Sequence, residues 1–158
     1  MYTIQIRAPC ERILEHLERF GESDRRYFRP RWVQIRRIAG VPDAPGCVIR
    51  YEVVDRRFSF SLVLEQVVGG HLAVYRVRDG FAAGGVLIFQ TEKLSEEVSA
   101  LSIYVAFNFL RGRTWVTQPF WRLFRRLFPA FVHDVLWNHS LCQLKDLVEA
   151  NHQDGAST

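Results

Sequence analysis

The hydrophobic period of this chain changes in its last third, and that change restricts what it can fold into. From Cys47 to about Leu110 apolar side chains recur at every second residue, whereas from Phe120 onward they recur at helical spacing. Alternation places successive side chains on opposite faces of a strand, and helical spacing gathers them into one stripe of a helix. A sheet with one apolar face and a helix with one apolar stripe bury both by packing against each other. Within the strand region, Cys47, Ile49, Tyr51 and Val53 alternate with Val48, Arg50, Glu52 and Val54. Phe58, Phe60, Leu62 and Leu64 then alternate with Ser59, Ser61, Val63 and Glu65.

Turn residues divide this region. Gly40 to Gly46 precede it, Gly69 and Gly70 end its second strand, and Asp79 to Gly85 follow a strand at Leu72 to Arg78. Further strands are expected over about Val86 to Leu94 and Val98 to Leu110, joined at Ser95 to Glu97. Upstream, Tyr2, Ile4 and Ile6 alternate with Thr3, Gln5 and Arg7, and Trp32, Val33, Ile35 and Ile38 mark another strand, for seven in all. Pro9 and Glu11 suit the first turn of a helix reaching Phe20, with Ile13, Leu14 and Leu17 inward, and Ser23 to Pro30 form a second short helix. Pro129 separates a short helix at about 119–128 from a long one at about 130–150. Short connections make neighbouring strands antiparallel, so the expected class is α+β with one meandering sheet. One domain over residues 1–150 with a polar tail at 151–158 follows.

Composition narrows the partners. The chain of 158 residues carries 21 Lys and Arg against 17 Asp and Glu, a net +4, with Lys at positions 93 and 145 only. The arginines fall in scattered pairs rather than on one element, so no nucleic-acid partner is expected. Three cysteines, Cys10, Cys47 and Cys142, lack the close spacing of a zinc or redox motif. With no signal peptide and no run of about 18 apolar residues, a cytoplasmic location is expected. The histidines, His16, His71, His133, His139 and His152, do not converge on one face, so no metal is expected. Gly84 and Gly85 lie in a hairpin rather than between strand and helix, which leaves no nucleotide loop and no cofactor.

The order strand, helix, helix, six strands, long helix resembles the superfamily of StAR-related lipid-transfer (START) domains, birch-pollen-allergen-like proteins and bacterial polyketide cyclases, known as SRPBCC. The carriers are the strand into "AP" and helix from Ile4 to Leu17, the "PGCVIRYEV" strand, the "DGFAAGGVLIF" hairpin and the closing "HSLCQLKDLVEA" helix. The resemblance covers essentially the whole chain. It implies a helix-grip fold, a seven-stranded curved antiparallel sheet wrapped around a long C-terminal helix, with two short helices after the first strand. The superfamily divides this architecture between carriers, sensors and a minority of enzymes, so the fold leaves function open.

A strongly curved sheet leaves a concavity that a helix lid encloses. By alternation, Tyr51, Phe60, Tyr75, Phe89 and Phe107 face it as candidate ligand-binding residues. On a helical wheel the stripe is centred on Phe131, Val135 and Cys142, flanked by Leu141, Leu144 and Val148, with Asp134 and Asn138 one turn apart inside it. A polar pair on an apolar face either closes structural contacts, such as Asp134 with Arg111 or Arg113, or meets a ligand. Phe131, Val135 and Asn138 are therefore candidate ligand contacts. Three readings stay open. The first is binding or carriage of a hydrophobic small molecule such as a lipid, isoprenoid or aromatic polyketide. The second is a cyclase, aromatase or dehydratase in which Asp134 moves a proton while Asn138 or Tyr51 stabilises an enolate oxygen. The third is an interaction module whose aromatics fill the space; a cavity above ~300 Å³ favours binding. Residues 115–128 combine aromatics with Arg122, Arg125 and Arg126, either a transient membrane contact or a helix over the cavity end. The oligomeric state does not follow from the sequence.

Overall fold

The computed structural model describes residues 1–18, 33–53, 58–69, 71–80, 82–107, 119, 122–123 and 137–150. The second short helix expected at Ser23 to Pro30 and the tail at 151–158 lie outside them. So does the 115–128 segment apart from Pro119, Arg122 and Leu123, which are helical and exposed. The strands are β1 (Tyr2–Ile6), β2 (Val33–Ala39), β3 (Val48–Val53), β4 (Phe58–Val68), β5 (Leu72–Val77), β6 (Val86–Lys93) and β7 (Ser99–Ala106), with helix α1 (Cys10–Glu18) between β1 and β2. Residues 137–150 are helical.

The strands form one antiparallel sheet in the order β1-β7-β6-β5-β4-β3-β2. The run from β2 to β7 is the expected meander of tight connections. The first strand departs from it, pairing with β7 through Tyr2 opposite Ile103 and Ile6 opposite Ser99. Extra residues between Arg37 and Ala39 in β2 and between Leu64 and Gln66 in β4 shift the register. Such bulges bend a strand, which favours the curvature of the sheet.

Alternation puts Ile49, Tyr51, Phe60, Leu62, Leu64, Tyr75, Val77, Leu87, Phe89, Leu101 and Ile103 on the inner face, all buried. The helix over residues 137–150 lays Trp137, Leu141, Leu144 and Val148 into the same core, and α1 contributes Ile13 and Leu17. Those four helix positions are spaced four, three and four apart, one stripe at 3.6 residues per turn. This stripe corrects the sequence-based wheel, because Asn138 and Cys142 are exposed. Each residue turns the helix by about 100°, so once Trp137 is buried Asn138 leaves the interface. Over the described part of the helix, the stripe runs through the expected flanking positions Leu141, Leu144 and Val148 rather than through Cys142.

Polar links hold these layers together. The Arg7 N–H donates to Glu149 Oε1 at 2.8 Å, tying the end of β1 to the C-terminal helix. Buried Ser99 Oγ donates to the Ala8 carbonyl at 2.8 Å and accepts from Cys10 Sγ at 3.4 Å, which secures the β1–α1 junction to β7. On the outer face, Asp79 Oδ1 accepts from the Ser61 N–H at 2.9 Å and from Arg50 Nη1 at 3.0 Å, anchoring the β5–β6 turn to β3 and β4.

Candidate functional site

The inner face is not completely filled. A cavity of about 210 Å³ opens beside α1, towards the sheet end where β4 turns into β5. Its apolar walls are Leu14 and Leu17 of α1, Leu64 and Val67 of β4, Leu72 and Ala73 of β5, and Phe89 of β6. The β4 bulge has a direct effect here. It resets the alternation after Leu64, so that Val67 pairs with Ala73 and borders the same space.

The polar groups come from three places. Tyr75 enters from the middle of β5, Thr91 from the inner face of β6, and Asp43 and His71 from the β2–β3 and β4–β5 connections. Asp43 is half-buried and holds a left-handed backbone at φ 59°, a conformation Asp adopts more readily than most residues. Burial pushes the Tyr75 phenol above its ordinary value of 10.0, with the charges of Asp43 and Cys47 adding to the effect. Burial likewise raises Tyr51 well above 10.0, with Tyr75 contributing. The Cys47 thiol is raised by burial and by Asp43, against the opposing charge of Arg37.

These shifts carry a sign. A buried phenol held neutral keeps its proton after the unfolded chain has begun to lose it. Its stabilising contribution is therefore fully present below pH 10.0 and declines as pH rises towards the folded value. Stability should fall above pH 10 by about 1.4 kcal/mol per pH unit for each of Tyr51 and Tyr75. Urea unfolding between pH 9 and 11 should show a shallower decline in Tyr51→Phe and Tyr75→Phe. An alkaline slope identical to wild type in both variants would contradict the assignment.

The predicted inward residues fall into two groups. Tyr75 and Phe89 border the cavity and meet edge to face with centroids 6.0 Å apart. Tyr51 and Phe60 stack at 4.9 Å, and Phe107 meets Phe60 at 5.4 Å, so these three pack together in and against the core. Asp134, Phe131 and Val135 lie outside the described residues, and Asn138 is exposed. Sequence reasoning missed Asp43, His71 and Thr91. Thr91 carried a readable signal, a polar residue at an inward position in line with Leu87 and Phe89; His71 and Asp43 sit in turns, where alternation says nothing. Among the described residues, no group of three or more His, Cys, Asp and Glu side chains could hold a metal, and no helix is long and apolar enough to cross a membrane.

No protein-family model matches the sequence, and no curated protein matches it. Solved structures do. Zhui aromatase/cyclase from a Streptomyces species superposes with a TM-score of 0.72 at 17% identity, over 94% of this chain and 91% of that one. The fold is the helix-grip fold, a curved antiparallel sheet with a C-terminal helix. Norcoclaurine synthase from Thalictrum flavum, in complex with dopamine and hydroxybenzaldehyde, gives 0.63 at 11% identity over 93% of this chain and 83% of that one. The di-domain aromatase/cyclase StfQ of the steffimycin biosynthetic pathway gives 0.61 at 12% identity; this chain is covered over 96% and spans 45% of StfQ. Within this helix-grip fold, the described cavity is lined by α1 and the sheet; none of its described walls comes from residues 137–150.

Proposed function

We propose that this helix-grip protein binds a small, mostly apolar molecule between α1 and the inner face of the sheet. The cavity beside Tyr75 and Phe89 carries the reading: its walls are largely aliphatic and aromatic, with a few polar groups collected at Asp43, His71, Tyr75 and Thr91. That combination of apolar walls and sparse polar groups is how small-molecule sites are built. At about 210 Å³ the space falls short of the ~300 Å³ that would by itself favour binding over a filled interior, and it suits a compact ring system rather than a long lipid. The structural neighbours support an aromatic class, since two are named aromatase/cyclases and a third is complexed with dopamine and hydroxybenzaldehyde. With Asn138 exposed, the cyclase alternative would rest on Asp134 together with Tyr51.

Filling the space tests this reading. Titration with propylbenzene, followed by NMR of the lining side chains, should give saturable shifts at Leu64, Ala73 and Phe89. Ala73→Trp, which puts a large ring into the cavity, should weaken binding at least about tenfold. A wild-type protein that shows no saturable binding, or a folded Ala73→Trp variant that binds as before, would overturn it.

A further inference from the structure

Resting on this reading, we infer that the ligand is a ring compound with one hydroxyl at the end nearest the mouth of the cavity and apolar beyond it, and that the His71 imidazole selects the hydroxyl. Four described lining residues bring polar side chains: Asp43, His71, Tyr75 and Thr91. Asp43, Tyr75 and Thr91 are already engaged within the protein. Among the described residues the His71 ring has no hydrogen bond or ion pair, and the contacts of this residue are those of its backbone. The other walls, including Leu14, Leu17, Leu64, Leu72 and Phe89, are apolar.

The turn fixes where His71 stands. Its N–H donates to the Val68 carbonyl at 2.8 Å, and its carbonyl accepts from the Thr91 N–H at 2.9 Å, which fastens the β4–β5 connection to β6. The residue is exposed and yet borders the cavity, so it sits where the cavity meets solvent. A neutral imidazole offers one donor and one acceptor, and a protonated one offers two donors. A hydroxyl both donates and accepts, so it pairs with the ring in either form. A charged group would have to shed its water against mostly apolar walls, which a hydroxyl does at far lower cost. A hydroxyl that finds no partner weakens binding, because the water it loses is not replaced. The sign of its effect therefore reports whether His71 meets it.

4-Propylphenol and propylbenzene differ by that hydroxyl alone. Titrated by calorimetry or NMR, 4-propylphenol should bind about fivefold more tightly, and it should move the imidazole nitrogen resonances of His71 further than propylbenzene does. His71→Phe keeps a ring at the mouth without a hydrogen-bonding atom and should reverse the order, leaving the phenol the weaker ligand. His71→Ala should likewise abolish the advantage of the phenol. Comparing the two compounds within each variant cancels any effect of the substitution on the cavity itself. If propylbenzene binds and the phenol binds no tighter, or if the advantage survives in either variant, the role of His71 is wrong while the cavity reading stands. Failure of both compounds to bind the wild-type protein would sink the cavity reading and this inference with it.

Discussion

Phe89→Ala is expected to lower the free energy of unfolding by about 3–5 kcal/mol, at the upper end for a single core substitution. Phe89 is 2% exposed, faces Ala73 and Ile103 across the neighbouring strands, and meets the Tyr75 ring edge-on. Its removal loses the buried ring, an aromatic pair worth about 0.5–1.5 kcal/mol beyond area, and the wall of an existing cavity. The last loss matters because a space bounded by paired strands cannot readily collapse, and uncollapsed volume raises the cost. Urea unfolding followed by circular dichroism measures the change, and naphthalene titration reads the enlarged space. A loss below about 1 kcal/mol would mean that the walls close over the gap and that the cavity is not rigidly framed.

Gly80→Ala is the second large effect, through the backbone rather than the core. Gly80 has φ +80°, and a Cβ there would overlap the Ser59 carbonyl oxygen and lie 2.8 Å from Phe60 Cα. Both obstacles are backbone atoms of β4, the strand to which Asp79 is tied through the Ser61 N–H. Relief therefore requires the β5–β6 turn to lift from the sheet and Asp79 to let go of Ser61 and Arg50. The expected cost exceeds about 2 kcal/mol. Gly69→Ala supplies the comparison, since Gly69 also has positive φ, at +44°, but a Cβ there meets nothing within 4 Å. It should cost about 1 kcal/mol from backbone conformation alone. Equal losses at the two positions, measured by thermal unfolding, would show that the close approach of the turn to β4 contributes nothing.

The same contrast between local and distant causes decides what the sequence by itself could show. Strand positions and the inward direction of Tyr51, Phe60, Tyr75 and Phe89 were legible because period-two alternation is a property of neighbouring residues and survives whatever the strand packs against. The fold class was legible for the same reason, through the long run of strand period followed by helical period in the last third. Three things were decided only by tertiary structure. The pairing of β1 with β7 depends on which edge is free after the meander closes. The rotation of the C-terminal helix is set by the burial of Trp137, Leu141, Leu144 and Val148, and a wheel can shift its stripe until packing chooses among the apolar residues; hence Asn138 and Cys142 lie outside. The cavity joins Asp43, His71 and Thr91 from two turns and a strand far apart in the chain. No periodicity links such residues, since their proximity exists only once the sheet has curved and α1 has docked on it.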